Sequence, residues 1–425
     1  MTRMGSAAGR GKRFPTRASV RSTPASTVGR SDSPTRQSAT SKAATPEAAT
    51  PQALLAVYRP DVSRALFAMD APLYRHVQVY EHLFRRPLRS FSEATALPAD
   101  ARAVLDDLGV STLTLSGSRT SPDGATKLLL AARDGSYVET VIMRYRDRLT
   151  ACISSQVGCP AGCIFCATGA MGFRRNLSVG EIVDQARLAS ALVVEEGRRI
   201  SNLVYMGMGE PLLNLQAVLD SIRVLTDPHG LGMAHRALSV STVGIPSGIL
   251  RLGRTEPQVN LALSLHAADD RTRALLVPKS FRHSLCEILE AAWEQFTMTH
   301  RKLLVEYVLL AGVNDSVDDA RRLAALLRGH VVTVNLLAWN PVSQLGEHGS
   351  RSTAQSRIGT AFPSSFRPSA PAAIAAFRNA LVSAHIKAVV RQSKGIDIQA
   401  ACGQLAGRRQ SYVGRTAEDQ SSLGE

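Results

Sequence analysis

Three cysteines close together carry the strongest chemical signal in this 425-residue chain. They form the segment Cys159-Pro-Ala-Gly-Cys163-Ile-Phe-Cys166, a C-x3-C-x2-C loop. Three thiolates at this spacing can each bind a separate iron of a cubane, which leaves the fourth iron open to a small molecule. A zinc site is the alternative, but it needs four ligands, and without a nearby histidine the fourth would be Cys152 or a distant residue. The spacing therefore favours an iron–sulfur cluster with one open corner.

The composition limits the class of protein around this loop. The chain has 50 Lys plus Arg and 35 Asp plus Glu, a formal charge of +15, which favours a polyanionic partner such as nucleic acid over a membrane surface. Six cysteines are too few for a disulfide scaffold. Because no apolar run approaches about 18 residues, the sequence predicts no membrane span.

Both ends of the chain are predicted to be disordered tails, over residues 1–52 and 411–425. The first 50 residues hold nine basic and two acidic side chains, so +7 of the +15 lies there and the rest is only moderately basic. A disordered basic tail and an organellar transit peptide both fit this composition. We expect a cytoplasmic protein, or an organellar one if residues 1–50 are a transit peptide.

Between the tails, the apolar spacing changes twice. Helical spacing predicts a small accessory domain over 53–110, and alternation around two turn signals predicts a linking β-sheet segment over 111–148. From 149 to 410, strand and helix patterns alternate, which predicts parallel strands with crossover helices. Strands are predicted at 202–206, 237–242, 259–265, 303–310, 331–338 and 386–391, and helices at 179–196, 214–226, 284–297, 316–328 and 371–385.

About six strand–helix units are too few for a closed eight-stranded barrel, so the predicted fold class is α/β, a partial (β/α)6 barrel. Two helices open with capping boxes or close variants, Ser178 to Glu181 and Ser316 to Asp319. A Ser/Arg/Pro-rich stretch over 343–371 interrupts the last crossover and is predicted to be a long loop.

Several polar residues lie at or just past the ends of the predicted strands. Active sites of α/β barrels lie at the carboxyl ends of strands, so these side chains are expected to converge on one pocket. Glycine allows the backbone to approach a ligand closely, and a glutamate can accept from an ammonium group. Singly, the histidine among them would be interpreted as structural. The residues are Gly209, Glu210, Ser241, Ser264, His266 and Asn340.

Together with Phe165 before the last cysteine, the loop resembles the radical S-adenosylmethionine (radical SAM) superfamily. Further motifs narrow the resemblance to the RlmN-type family of dual-specificity RNA adenine C2-methyltransferases, over about residues 53–410. These motifs are Cys152-Ile-Ser-Ser-Gln-Val-Gly-Cys159, Phe173-Arg-Arg-Asn176, Met206-Gly-Met-Gly-Glu-Pro-Leu-Leu-Asn214, Ser264-Leu-His266, Trp339-Asn-Pro341 and Ala400-Ala-Cys402-Gly-Gln-Leu-Ala-Gly407.

The resemblance implies cofactors and partners. It implies one 4Fe-4S cluster on Cys159, Cys163 and Cys166, and two molecules of S-adenosylmethionine per turnover. The expected substrates are an adenosine of 23S rRNA at the peptidyl transferase centre and the adenosine 3′ to the tRNA anticodon. A flavodoxin-type electron donor and a monomeric enzyme are expected as well. The residues that the resemblance assigns to S-adenosylmethionine are Gly209, Glu210, Ser241, Ser264, Leu265, His266 and Asn340.

The resemblance also assigns roles to two cysteines outside the cluster loop, Cys402 and Cys152. An isolated cysteine such as Cys402 is usually inert packing, but here it would be the methyl carrier. Adenine C2 is not nucleophilic, so Cys402 is methylated first, and a radical from the second S-adenosylmethionine then abstracts hydrogen from that methyl group. The resulting carbon radical adds to adenine. Attack of the Cys152 thiolate on the Cys402 sulfur would release the product and leave a transient disulfide.

Two further residues, Glu139 and Cys286, lie outside the motifs named above. Glu139 lies thirteen residues before Cys152, where the family has the glutamate that accepts a proton from the adduct. From the sequence alone, Glu139 would be interpreted as an exposed strand carboxylate. Cys286 matches no motif and is predicted to be a core residue of helix 284–297.

Two other functions stay open. The sister activity, adenine C8 methylation of 23S rRNA with antibiotic resistance, shares the cluster and both cysteines. Pro211 and Trp339 favour the C2 reaction over it, because the C8 group tends to carry Ala after Gly-Met-Gly-Glu and lacks the tryptophan. The second alternative is a non-catalytic, metal-stabilised RNA-binding protein, in which Cys152 and Cys402 would have no role.

Overall fold

The computed structural model describes residues 50–85, 90–278, 283–342 and 366–407. Most of the predicted N-terminal tail, the predicted tail 411–425 and most of the predicted loop 343–371 lie outside these described residues. All of the described residues fall within one compact unit, Ala49–Glu425.

Twelve α-helices and three short 3-10 helices occur within the described residues. The α-helices are α1 Pro51–Tyr58, α2 Pro60–Ala68, α3 Leu73–Arg85, α4 Ala99–Leu108, α5 Ala167–Ala170, α6 Val179–Val194, α7 Leu215–Thr226, α8 Pro246–Thr255, α9 Asp270–Leu276, α10 Leu285–Thr299, α11 Val317–Leu327 and α12 Pro371–Ser383.

Twelve strands complete the regular structure of the same ranges. They are β1 Leu113–Thr120, β2 Ala125–Ala132, β3 Tyr137–Arg144, β4 Leu149–Cys152, β5 Gln156–Gly158, β6 Phe173–Asn176, β7 Asn202–Tyr205, β8 Leu238–Thr242, β9 Asn260–Ser264, β10 Leu303–Leu309, β11 Val332–Ala338 and β12 Ala388–Val390.

Ten strands form one sheet in the order β1-β2-β3-β4-β7-β8-β9-β10-β11-β12. From β4 to β12 every neighbouring pair is parallel, and each step crosses over through at least one helix. Strands β10 and β11 are buried over almost their whole length, as is typical of parallel strands covered on both faces. Among the described residues no pairing joins β12 back to β4, so the α/β fold and the open, partial barrel are confirmed.

The sequence prediction missed three elements of this alternation. Strand β4 adds a seventh parallel strand, and its four residues are too few to show a period. Helix α8 begins at Pro246 and contains Gly248 and Gly253, which normally indicate a turn. Helix α9 has only seven residues.

The antiparallel strands β1, β2 and β3 continue the same sheet beyond β4. The two predicted turn signals, around Gly124 and Gly135, connect these strands, and both glycines have positive φ. Helices α1 to α4 contribute their apolar residues to the hydrophobic cluster that also includes the parallel strands. The boundaries predicted for separate domains stay predictions.

Capping boxes begin three crossover helices. Both predicted boxes are confirmed, at Ser178 before α6 and Ser316 before α11. A third, at Ser284 before α10, was not predicted. In each box the serine oxygen accepts from the backbone N–H of the third helical residue, which satisfies a donor that the helix leaves unpaired.

The cysteine loop leaves the sheet through a separate two-stranded ribbon, β5 with β6. Gly158 ends β5 with φ +75°, and a Cβ atom at this position would lie 1.9 Å from the carbonyl oxygen of Gly172. A larger residue would therefore push the two strands apart. The ribbon brings both ends of the cysteine loop together just beyond β4.

Candidate active site

A cavity of about 220 Å³ lies at the carboxyl ends of the parallel strands, where α/β barrels build their active sites. The structure brings eleven of the thirteen sequence-predicted site residues to its wall, and Glu139 and Leu265 are not among the lining residues. The eleven are Cys152, Cys159, Cys163, Cys166, Gly209, Glu210, Ser241, Ser264, His266, Asn340 and Cys402.

The three loop cysteines face this cavity as free thiols. Burial raises the pKa of Cys159 to about 12 and raises the pKa of Cys163 well above its usual value. Bound metal offsets such a penalty, because it deprotonates a coordinating thiol. A donor set made only of thiols fits an iron–sulfur cluster. Among the described residues no three His, Cys, Asp or Glu side chains are grouped closely enough to hold a single metal ion.

Neighbouring elements hold the cysteine loop in place. The indole Nε1 of Trp339, just beyond β11, donates to the carbonyl oxygen of Phe165 at 2.9 Å. The N–H of Ile164 donates to the carbonyl oxygen of Leu276 at the end of α9. The loop is therefore anchored to the ends of strands and helices and does not depend on the cluster alone for its position.

Glu210 is buried at the cavity wall, and two backbone N–H groups orient its carboxylate. Its Oε1 accepts from the N–H of Leu212 at 2.9 Å, and its Oε2 accepts from the N–H of Val243 at 2.8 Å. Burial raises the pKa of Glu210 to about 6, against these hydrogen bonds, which lower it. A buried carboxylate of this kind gains from a cationic ligand, such as an ammonium group.

Gly209 explains why the loop before Glu210 can lie so close to the cysteine ribbon. Its φ is +105°, and an added Cβ would lie 2.6 Å from the Cβ of Gln156. The side-chain Oε1 of Gln156 accepts from the N–H of Glu210 at 2.8 Å. The glycine therefore lets β5 and the loop after β7 form adjacent parts of the same wall.

The ends of β8 and β9 supply hydroxyl groups, and the residues after β9 supply an imidazole. Ser241 Oγ and Ser264 Oγ lie 3.0 Å apart. The Nδ1 of His266 accepts from the N–H of Val308 at 3.1 Å, so the neutral ring carries its proton on Nε2. Burial lowers the pKa of His266 to about 3. Leu265, which lies between Ser264 and His266 in the chain, is fully buried in the core.

Cys402 and Cys152 both line the cavity as free thiols, although 250 residues separate them in the chain. Cys402 is accessible because it faces the cavity, yet the surrounding protein raises its pKa to about 12. Burial also raises the pKa of Cys152 to about 12, and negative charge on Cys402 adds to that shift. The Nδ2 of Asn340 donates to the carbonyl oxygen of Cys402 at 3.1 Å.

Glu139 corrects one sequence interpretation. It is 1% exposed, so it is not an exposed strand carboxylate. The Nζ of Lys127 on β2 lies 3.0 Å from Oε1 of Glu139, and Oε2 of Glu139 accepts from the N–H of Ala406 at 2.7 Å. Alternation along β3 does not reveal this burial, because the C-terminal segment covers the strand from far away in sequence.

The position of Cys286 corrects a second interpretation, the prediction that it is a core residue of helix 284–297. It lies on α10 but is exposed, and its thiol donates to Oε1 of Glu290 at 3.2 Å. The apolar neighbours Leu285, Ile288 and Leu289 are buried. The helix turns Cys286 away from the face that those residues share.

Sequence reasoning missed three charged residues of the cavity wall, Glu306, Arg391 and Lys394. Glu306 lies on β10, where Oε1 accepts from Nδ2 of Asn335 at 2.7 Å and lies 3.9 Å from Arg391 Nη1. Burial raises the pKa of Glu306. A charged residue inside the apolar run Leu-Leu-Val-Glu-Tyr-Val-Leu was a signal that could have identified it.

Three comparisons with known proteins agree with this geometry. The profile of the Radical SAM superfamily matches residues 153–324. The chain is 40% identical over 354 residues to the probable dual-specificity RNA methyltransferase RlmN of Acaryochloris marina, which covers 83% of this chain and 93% of that protein. The RlmN relative of Thermotoga neapolitana, with the same description, is 42% identical, over 84% of this chain and 98% of that protein.

A solved structure extends the likeness to three dimensions. The crystal structure of a radical SAM methyltransferase from Sphaerobacter thermophilus is 39% identical and matches with a TM-score of 0.74. The match covers 81% of this chain and 96% of that one. No described helix combines the length and the apolar character that crossing a membrane requires.

Proposed function

This chain belongs to the RlmN family of dual-specificity RNA methyltransferases, and on that premise we propose a role for each residue of the cavity. It is a radical SAM enzyme with a 4Fe-4S cluster and S-adenosylmethionine as cofactors, and C2 methylation of adenosine in rRNA and tRNA fits the family. One observation carries the proposed roles: Cys402 lines the same cavity as the four cysteines between positions 152 and 166, from which it is distant in sequence.

Cys159, Cys163 and Cys166 would hold the cluster, which supplies the electron that cleaves S-adenosylmethionine and starts the radical reaction. Glu210 would accept from the ammonium group of S-adenosylmethionine, since its carboxylate is buried and already oriented by backbone N–H groups. The remaining contacts to the cofactor would come from Gly209, Ser241, Ser264, Leu265, His266 and Asn340, with Leu265 limited to its backbone because its side chain is in the core.

Cys402 would carry the methyl group. It lies in a segment with no helix or strand from Arg391 to Gly407, so its thiol can change position without unfolding a regular element. The high pKa that its surroundings impose means that the thiol must lose its proton as the methyl group arrives. These features support a carrier that reacts only when S-adenosylmethionine is in place.

Cys152 would resolve the adduct between Cys402 and RNA. Its thiolate attacks the Cys402 sulfur, the new disulfide forms, and the sulfur–carbon bond breaks with its electron pair on the carbon. That carbon then takes a proton and becomes the methyl group of the product. The location of Cys152 at the end of β4 supports this role, because the strand holds one thiol still while the other moves.

Glu139 would accept the proton that the radical adduct of adenine loses, and the oxidised cluster would take up the one electron that the adduct must also lose. The carboxylate is buried beside the Cys402 segment but does not line the cavity. It could therefore reach the adduct only if its hydrogen bond with Ala406 opened during the cycle. The proposal requires this movement.

The less specific parts of the function are also proposals. A flavodoxin-type protein would donate the electron, and the enzyme would act as a monomer in the cytoplasm. We also propose an accessory helical domain over 53–110, a linking sheet segment over 111–148 and a catalytic core over 149–410.

Mass spectrometry of RNA from a deletion strain tests the function. Loss of 2-methyladenosine from both 23S rRNA and tRNA, restored by the intact gene, is expected. Loss of an 8-methyladenosine mark with 2-methyladenosine retained would identify the C8 reaction instead. Restoration of methylation by a Cys402→Ala gene would contradict the methyl-carrier role.

A further inference from the structure

Lys127 is a lysine in the interior of the protein. It lies near the start of β2, between Thr126 and the apolar run Leu128-Leu129-Leu130, and it is 1% exposed. Taking an ammonium group out of water is costly unless partners compensate for it. A lysine in such a position therefore calls for an explanation from its contacts.

Its contacts connect it to the segment that carries Cys402. Lys127 Nζ donates to the carbonyl oxygen of Gln399 at 3.2 Å and lies 3.0 Å from Oε1 of Glu139. The other carboxylate oxygen of Glu139 accepts from the N–H of Ala406 at 2.7 Å. The buried ion pair thus binds the backbone three residues before Cys402 and four residues after it.

Other contacts hold the middle of this segment, and they come from the start of α5, just after the cysteine loop, and from Asn340 and Pro341 just beyond β11. The N–H of Ala167 donates to the carbonyl oxygen of Gly403 at 2.7 Å, and Oγ1 of Thr168 donates to the carbonyl oxygen of Leu405 at 2.6 Å. Since the segment has no helix or strand, such contacts set its position. The ion pair holds the segment on both sides of Cys402, at Gln399 and at Ala406.

We propose that Lys127 is a positioning residue for methyl transfer: together with Glu139 it clamps residues 399–406 against β2 and β3 and so keeps Cys402 at the cavity. The proposal rests on the proposed role of Cys402 as methyl carrier. Lys127 acts through other groups, because it does not line the cavity.

The clamp also links two steps of the cycle. Glu139 cannot both hold Ala406 and move to the substrate, whereas Lys127 can keep its contact with Gln399 while Glu139 is displaced. The lysine would then hold one end of the segment while the other end opens. An apolar residue at position 127 could fill the same space but could not hold Gln399.

Hydrogen exchange of the purified holoenzyme tests the clamp without depending on turnover. The variants are Lys127→Met, Glu139→Gln and the double variant, with Thr140→Val as the matched control. Thr140 is also buried on β3, but its hydroxyl bonds to Gln185. The double variant leaves no unpaired buried charge, so it remains informative if Lys127→Met alone fails to fold.

In Lys127→Met and in the double variant, amides in the 399–406 region should exchange about tenfold faster or more than in the wild type, because a charge-assisted bond is lost. The effects of the two single variants should not add, since both act on one clamp. The fraction of Cys402 that carries a methyl group, read from the mass of a tryptic peptide, should fall with them. Thr140→Val should change neither quantity.

Wild-type exchange over 399–406 in a folded double variant would overturn the clamp, and so would equal loosening by Thr140→Val. Failure of the proposed function would look different. In that case wild-type Cys402 would carry no methyl group, while the exchange difference would remain.

Discussion

The cavity is made of two regions that hold their chemistry in different ways. One region is the carboxyl edge of the parallel sheet, where Glu210 follows β7, Ser264 ends β9 and His266 follows it. The other is the segment 391–407, which contains Cys402 and has no regular structure in it. Its position depends on hydrogen bonds with Thr168 just after the cysteine loop, with Asn340 and Pro341, and with the pair Lys127–Glu139.

The difference matches what each region must do. A site that binds a cofactor gains from rigid elements, which keep its groups in place before the ligand arrives. A residue that accepts a methyl group, reacts with RNA and then forms a disulfide must take several positions. A segment tied by a few hydrogen bonds can release them one at a time, whereas a strand would have to leave its sheet.

The largest expected effect is the loss of methylation on removal of the Cys402 thiol, which should leave cofactor binding at the strand ends unchanged. Cys402→Ala should reduce RNA methylation at least about 10³-fold, since the nucleophile is lost, while iron content and affinity for S-adenosylmethionine stay within about twofold of the wild type. Liquid chromatography–mass spectrometry of the RNA and iron analysis of the protein measure this. Cys286→Ala, on the exposed face of α10, is the control and should retain full turnover. Equal loss of cofactor binding in Cys402→Ala would show that the two regions are not separate.

Cys152→Ala tests the step in which a thiol at the end of β4 reacts with the Cys402 sulfur of the segment. Turnover should fall by about two orders of magnitude or more, because the adduct can no longer be resolved by thiol attack. A covalent complex of the protein with RNA should accumulate and be visible on a denaturing gel. If methylated RNA forms at the usual rate and no complex appears, Cys152 does not resolve the adduct.

The strand-end region should show a pH dependence that the segment does not. Because burial raises the pKa of Glu210 to about 6, its carboxylate is mostly protonated at pH 5 and mostly ionised at pH 7. The ammonium group of the ligand stays charged over this range, so affinity for S-adenosylmethionine should increase about tenfold as the pH rises. Isothermal titration at several pH values measures it. Glu210→Gln should bind weakly with a flat profile, and an unchanged slope in that variant would assign the titration to another group.

The smallest effect concerns a single tether of the segment. The Nε2 of Gln404 donates to the carbonyl oxygen of Pro341 at 2.8 Å, and its Oε1 accepts from the N–H of Ala401. Gln404→Ala should lower RNA methylation roughly fivefold, the effect of about one hydrogen bond, without weakening cofactor binding. Gln216→Ala on the exposed side of α7 is the control. A larger loss of cofactor affinity than of turnover would contradict the division into two regions.

Much of the fold was predictable because its signals are local. Apolar runs and capping residues such as Ser178 and Ser316 indicate strands and helix starts within a few residues of sequence. The strand-end positions of Ser241, Ser264 and Asn340 followed from the same pattern. Short elements such as β4 escaped because four residues do not establish a period.

The sequence by itself determined the chemistry: the three-cysteine spacing, the motifs around it and the alternation of strands with helices follow from residue types at short range. Only the tertiary structure decided the environment of each group. It buried Glu139 under a segment more than 250 residues away, kept His266 neutral by burial and turned Cys286 to the surface. Periodicity reports which residues share a face of one element, but burial and charge depend on which distant segment covers that face.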